Sequence, residues 1–156
     1  MATPFLKVYD AFLARITADE WTLEEELAIV ERDWQELLKM AVDRFEYPRI
    51  SLEMEELEQS ESSSPVTVMQ FKNELTNAEI QLLAIYMKHE WVKRCLANWD
   101  EMCMLYVDSD YSQANHLDKL EKLEASIALE VKKAEGRYDR SRDHRPAAIF
   151  RKLAGK

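Results

Sequence analysis

The sequence predicts an all-α protein with a four-helix core, a small β-hairpin that carries an acidic loop, and an extended C-terminal tail. The 156 residues include only 2 glycines, whereas sandwiches, barrels and phosphate-binding loops need glycine at turns and close backbone approaches. Hydrophobic residues make up 47% and charged residues 33%, which is typical of a folded chain. Apolar residues also recur at helical spacing over most of the length.

The first two helices are predicted at residues 4–16 and 23–45. Thr3 is expected to cap the first helix, with Pro4 at its first helical position, and apolar residues then recur every three or four positions. The second helix is predicted to open with a capping box that starts at Thr22, in which two side chains satisfy each other's free backbone N–H groups.

Beyond the second helix, which should end before Pro48, the helical periodicity is lost. Two short β-favouring runs, at residues 49–52 and 66–71, predict the strands of a hairpin. Residues 54–65 are predicted to form a protruding acidic loop, because glutamates cannot be buried unpaired without a severe desolvation cost. The glutamates assigned to this loop are Glu53, Glu55, Glu56, Glu58 and Glu61. A long loop on a small domain is usually mobile or a contact element.

The longest apolar helix is predicted at residues 77–106, after a second capping-box pattern at Thr76 and Glu79. Its apolar positions cover so much of the circumference that it should be the central helix of the core. A last helix at residues 113–140 carries a narrower, coiled-coil-like apolar seam among many lysines and glutamates. No stretch approaches 18 uncharged apolar residues, so no membrane span is expected.

The chain is predicted to divide into a helical domain at residues 1–140 and an extended basic tail at residues 141–156. The net charge is −9, but residues 137–156 hold seven basic and two acidic residues, a local +5 that leaves −14 for residues 1–136. The tail also contains apolar residues that are not part of any predicted helix, so we expect it to dock on a protein surface. A flexible, solvated tail is the alternative. The residues predicted for this interface are Arg142, Arg145, Ile149, Phe150, Arg151 and Leu153.

The candidate chemical residues do not form a pattern that supports catalysis, so we expect no enzyme, metal or cofactor. His89 and Cys95 lie six residues apart, roughly 240° around a helix, whereas zinc ligands on helices use close spacings such as i, i+4. Gln113 stands where a di-iron site would need a carboxylate three residues before His116. Cys95 and Cys103 are too far apart along one helix for a disulfide, which favours reduced thiols in a cytoplasmic product.

Four blocks of sequence follow one another in a set order between about Phe5 and Leu123. They are FLKVYDAFLARITADEW, FEYPRISLE, FKNELTNAEIQLLAIYMKHEWVKR and DYSQANHLDKLEKL. This order resembles that of small structural proteins of tailed bacteriophages, the head-to-tail connector or neck proteins. The resemblance is weakest at residues 54–65 and in the C-terminal tail, so the contacts assigned to those two segments depend on the residues themselves.

The resemblance implies a structural virion protein that forms a homo-oligomeric ring, of about twelve copies, at the head–tail junction. The implied partners are further copies, the portal protein and other neck or tail proteins. Genomic DNA would pass through the channel without specific binding, and an acidic wall suits this role because it repels phosphate. The chain would be made in the host cytoplasm and act in the virion without a membrane. Contact between the tail and the passing DNA is a further alternative to docking.

The competing hypothesis is a soluble all-α regulatory or adaptor protein that binds a protein partner in the cytoplasm. The acidic body with a basic tail and the apolar helix faces fit this class as well, because both features favour contact with proteins and neither identifies the partner. The two hypotheses differ in assembly state. A connector subunit forms a closed ring, whereas an adaptor binds its partner as a monomer or dimer.

Overall fold

The computed structural model describes residues 2–16, 27–59, 66–105 and 111–141, which form four α-helices and one three-stranded antiparallel sheet. In chain order the elements are β1 (Thr3–Pro4), α1 (Phe5–Leu13), α2 (Leu27–Arg44), β2 (Met54–Gln59), β3 (Val66–Phe71), α3 (Asn77–Leu105) and α4 (Tyr111–Ser141). The mainly helical architecture is therefore confirmed for this part of the chain. The sheet is larger than the predicted hairpin, because β1 adds a third strand.

Helix α3 is the central helix, as predicted, and α1, α2 and α4 all pack against it. Its first half is buried on almost every side, since the consecutive residues from Leu82 to Met87 are all buried. A helix covered so completely needs neighbours on several sides. The largest buried side chains around it are Phe12 of α1, Leu37 and Leu38 of α2, Phe71 of β3, and Ile127 and Val131 of α4. None of the helices in the described ranges is long and apolar enough to cross a membrane.

The predicted capping residues open α3. The backbone N–H of Thr76 donates to Glu79 Oε2 at 3.0 Å, and the Thr76 hydroxyl donates to the same carboxylate. The side chain of Glu79 thus satisfies a donor that would otherwise be free at the helix start. Glu79 is fully buried, so this carboxylate also takes part in the packing between α3 and its neighbours.

Strand β1 replaces the predicted start of the first helix, and that part of the prediction was wrong. Thr3 and Pro4 pair with the end of β3, so α1 begins at Phe5, and Pro4 precedes it in an extended conformation (φ −65°, ψ 145°). Thr3 Oγ1, expected to cap the helix, instead accepts the backbone N–H of Leu75 at 2.8 Å. Thr3 is buried, and pairing with β3 satisfies backbone groups that a helix start would leave without partners.

The first strand of the predicted hairpin was also placed wrongly. Residues 49–52 are irregular, and β2 (Met54–Gln59) occupies half of the segment predicted as a loop, whereas β3 has the predicted bounds. Each residue of β2 pairs with a residue of β3. Glutamates are tolerated in this strand because their side chains can extend into solvent while their backbone groups form hydrogen bonds. Residues 54–59 of the predicted acidic loop are therefore strand, and residues 60–65, which include Glu61, lie outside the described residues.

The other boundaries agree with the prediction more closely. Helix α1 ends three residues before the predicted position 16, and a turn follows it. Helices α3 and α4 match their predicted ranges within two residues, which is the usual uncertainty of a helix end. The predicted start of the second helix near Thr22 lies outside the described residues, as do residues 142–156 of the predicted tail.

Candidate functional site

The hairpin of β2 and β3 carries most of the predicted acidic residues, and its two faces differ. Side chains alternate between the faces of a strand, so Met54 and Phe71, which lie opposite each other, point to the same side. Phe71 is fully buried in the core, and Met54 packs against that core. On the other face Leu57 lies opposite Val68 and is 38% exposed. The hairpin is therefore anchored at the Met54 end and presents its other face outward.

The described glutamates of the hairpin make few neutralising contacts. Glu53 forms an exposed ion pair with Lys72 at 3.0 Å, and this hydrogen bond, with the charge of Glu53, raises the pKa of the lysine. Glu55 Oε1 accepts a hydrogen bond from the neutral amide of Gln70 at 2.5 Å, and its charge contributes to raising the pKa of Lys72. Glu56 is exposed, and the backbone of Glu58 pairs opposite Thr67. Among the hairpin glutamates whose side chains are described, Glu53, Glu55 and Glu56, only Glu53 has a cation within ion-pair distance, so this part of the hairpin surface stays negative.

The sheet has open edges. Its strand order is β1-β3-β2, and β1 pairs with only two residues of β3, so the rest of that edge and the whole outer edge of β2 lack a neighbouring strand among the described residues. Such edges expose backbone donors and acceptors to which another extended segment can add. The glutamates of β2 favour a basic segment over an acidic one at this edge.

A cleft of about 390 Å³ lies beside the last turns of α4. Its floor is aromatic, because the ring of Phe45 packs edge-on against Tyr86 at 5.8 Å and against Tyr138 at 5.2 Å between ring centroids. Tyr47, which is 68% exposed, lines the cleft as well. The lining residues are Arg44, Phe45, Glu46, Tyr47, Leu82, Tyr86, Glu135, Tyr138 and Asp139. Three carboxylates therefore face one guanidinium, and the cleft is negative.

The phenol of Tyr86 reflects the electrostatics of this cleft. Burial raises its pKa, and so do the hydrogen bond that its hydroxyl donates to Glu135 Oε1 at 2.9 Å and the negative charges of Glu135 and Asp139. The guanidinium of Arg44, 5.0 Å from the ring centroid, opposes this shift and is outweighed. Tyr86 thus stays a neutral donor at physiological pH, and the carboxylates set the charge of the cleft.

A buried polar network fixes the end of α4 below the cleft. The Tyr138 hydroxyl donates to Glu79 Oε1 at 2.8 Å and accepts the backbone N–H of Arg49 at 2.8 Å. The guanidinium of Arg49 lies 4.3 Å from the centroid of the Tyr138 ring and donates to the Tyr138 carbonyl and, at 2.6 Å, to Ser141 Oγ. Burial is the largest cause that raises the pKa of Tyr138. These contacts determine where the chain leaves α4 and enters the predicted tail.

His89, considered as a metal ligand or base, links three helices instead. It is 4% exposed, its Nδ1 receives a hydrogen bond from Arg44 Nη1 at 2.7 Å, and its Nε2 lies 2.7 Å from Glu124 Oε1. Because a guanidinium only donates, Nδ1 accepts from Arg44, and Nε2 is the ring nitrogen that can donate to Glu124. No group of three His, Cys, Asp or Glu residues within the described ranges could hold a metal ion.

The predicted interface residues of the tail, from Arg142 to Leu153, lie outside the described residues, as do the side chains of Cys103 and His116. Sequence reasoning missed the cleft, because its walls come from α2, α3 and α4 and only the fold brings them together. The sequence did single out Glu79 as a capping residue, and its carboxylate accepts the hydrogen bond of Tyr138, which lines the cleft. Comparison of the chain with known protein families, curated proteins and solved structures finds no match.

Proposed function

We propose that this chain is a structural virion protein of a tailed bacteriophage, which forms a ring at the head–tail junction, joins the portal to the tail and lines the DNA channel. The observation that carries the proposal is the separation of a self-contained apolar core from peripheral charge of opposite signs. The hairpin is anchored in that core by Phe71, but its glutamates Glu53 and Glu56 are exposed, and the basic tail follows α4. The resemblance between about Phe5 and Leu123 supplies the family.

Two complementary surfaces on one chain permit a ring. A two-fold dimer uses the same patch on both partners, whereas a head-to-tail contact joins two different patches and closes into a ring when the rotation permits. Here residues 1–136 carry −14 and residues 137–156 carry +5. Attraction between the tail of one copy and the body of the next is therefore a head-to-tail contact.

The charge of the body also suits a channel for DNA. Double-stranded DNA carries one negative charge per about 1.7 Å of its axis, so a strongly negative wall repels it and prevents adhesion. The proposed role needs neither a catalytic site nor a cofactor. Its partners are further copies of the chain, about twelve in a ring, together with the portal and other neck or tail proteins. The chain would be made in the host cytoplasm and act in the virion.

The location of the chain in phage particles tests this proposal directly. Particles from the source that encodes the chain would be purified, labelled with gold-coupled antibodies against it and imaged by electron microscopy. Label at the head–tail junction, with a copy number near that of the portal by quantitative mass spectrometry, is expected. A chain abundant in the lysate but absent from purified particles would reject the virion role.

A cytoplasmic adaptor is the second candidate, and the cleft beside α4 favours it, because a negative cleft with aromatic walls suits a basic peptide from one partner. Sedimentation velocity separates the two candidates. The adaptor stays a monomer or dimer in the presence of its partner, whereas the connector subunit assembles into larger closed species on its portal platform.

A further inference from the structure

We infer that the cleft beside α4 receives a basic side chain from the C-terminal tail of a second copy of this chain. The inference rests on the proposed function and names the acceptor site that the tail of a ring neighbour would occupy. It depends on three observations: the chemistry of the cleft walls, the state of the guanidinium already present, and the composition of the segment that follows α4.

The walls of the cleft suit a cation on a flexible stem. Glu46, Glu135 and Asp139 supply three carboxylates, and the exposed ring of Tyr47 offers a face against which a guanidinium or an aliphatic stem can pack. Phe45 and Tyr86 below them are buried, so the floor offers little apolar area and charge dominates recognition. A volume of about 390 Å³ is at the small end of ligand sites, enough for one long side chain with neighbouring backbone.

The guanidinium already in the cleft does not neutralise these carboxylates. Arg44 donates to His89 Nδ1 at 2.7 Å and forms an ion pair with Glu90 at 3.3 Å. It also stacks over Tyr86, so its position is held by contacts on α3. Its hydrogen bonds and its ion pair go to α3, and it forms none with Glu46 or Asp139, both of which are exposed. A second cation would meet a negative rim.

The segment after α4 carries the complementary chemistry. Residues 142–156 hold five basic residues and one acidic residue, and the run from Ile149 to Lys152 places two basic residues directly after two apolar ones. The cleft lies at the base of this segment, since Tyr138 and Asp139 line it and α4 ends at Ser141. In a ring, the tail that leaves one copy beside its own cleft can reach the equivalent cleft of the next copy, and all subunits are then joined in the same way.

A peptide titration tests the assignment on the full chain. A fluorescent peptide of residues 142–156 would be titrated with the protein, and its anisotropy measured at low and high salt. We expect saturable binding that weakens with salt, as charge-based recognition requires. Asp139→Asn and Tyr47→Ala should each weaken binding about tenfold, equivalent to about 1.4 kcal/mol. Glu121→Gln, at an exposed position on the same helix, is the matched control and should bind as the parent does.

Two further variants keep the result decisive. A peptide with Arg145, Arg151 and Lys152 replaced by glutamine should not bind, and Asp139→Asn should melt at the parent temperature. If Asp139→Asn and Glu121→Gln weakened binding equally, the peptide would be responding to the overall negative charge of the chain, and the cleft would not be its binding site.

A full chain with glutamine at Arg145, Arg151 and Lys152 separates intramolecular from intermolecular docking. If the peptide bound only that chain and the parent sedimented as a monomer, the cleft would hold its own tail and the inference would fail; binding to neither chain would also overturn it. A virion location without peptide binding rejects only the cleft assignment, whereas peptide binding without a virion location rejects only the proposed function.

Discussion

Glutamate has opposite roles in two regions of this molecule. At the start of α3, Glu79 is fully buried and accepts hydrogen bonds from Thr76 and Tyr138. On the hairpin, Glu53 and Glu56 are exposed, and their strand is held by backbone pairing with β3. Burial with full hydrogen bonding makes a glutamate part of the fold, whereas exposure leaves its charge available to other molecules. Changes in the first region should alter stability, and changes in the second should alter association.

The largest effect should come from the apolar core that surrounds Glu79. Leu83→Ala removes a fully buried side chain from α3 and should lower the free energy of unfolding by about 2–5 kcal/mol, because a cavity remains. Leu129→Ala, at a leucine that is 58% exposed on α4, is the control and should change it by no more than about 0.5 kcal/mol. Urea denaturation measures both. Equal losses would show that α3 is not the centre of the core.

A smaller loss is expected from the buried network. Tyr138→Phe leaves the backbone N–H of Arg49 and one oxygen of Glu79 without their partner, which should cost about 1–3 kcal/mol. Tyr86→Phe removes only the hydrogen bond to Glu135, whose partly exposed carboxylate can bind water instead, and should cost less than about 1 kcal/mol. The two variants would be compared by denaturation at pH 7. A larger loss for Tyr86→Phe would contradict the assignment of the network to the fold.

Alkaline pH should weaken the fold through its buried tyrosines. Burial raises the pKa of both Tyr9 and Tyr86, so the unfolded chain loses these protons at lower pH than the folded chain. Their stabilisation is complete below the unfolded pKa of about 10 and falls by about 1.4 kcal/mol per pH unit for each tyrosine above it. Denaturation at pH 8 and above pH 10 measures the decline, and Tyr9→Phe should make it shallower. A decline unchanged in Tyr9→Phe would assign the effect to other groups.

The smallest effect on folding is expected from the hairpin. Glu56→Gln removes one exposed charge and should change the free energy of unfolding by no more than about 0.5 kcal/mol. It should still weaken the attraction between copies, which sedimentation at low salt would detect. A clear loss of stability without a change in association would place this glutamate in the fold rather than on a contact surface.

The sequence predicted the elements that depend on local pattern and missed those that depend on pairing. The capping residues and apolar faces predicted α3 and α4 closely, because helical spacing is a local property. Strand β1 was missed because a two-residue strand at Thr3 exists only through its partner β3. Strand β2 was missed because three of its six residues are glutamates, which have low strand propensity, and tertiary pairing overrides that preference.

The candidate cleft could not be predicted for a related reason. Its carboxylates are far apart in sequence, with Glu46 after α2 and both Glu135 and Asp139 on α4. In the sequence alone, none of these three carboxylates can be distinguished from an ordinary surface charge. Their convergence depends on how α2 and α4 pack against α3, and the interaction between Arg49 and Tyr138 that fixes it spans two distant segments. The clustered basic charge of residues 137–156, in contrast, is a property of composition and is visible in the sequence without a fold.

The central claim is that the core folds by itself and that the tail joins copies of the chain. Truncation after Ser141 tests it, because α4 and the contacts of Arg49 are retained while five basic residues are removed. Circular dichroism and sedimentation velocity would be recorded for the intact and truncated chains over a concentration series. We predict the same helical content and melting temperature for both, and association by the intact chain alone. A truncated chain that unfolds, or that associates as strongly as the intact chain, would contradict the account.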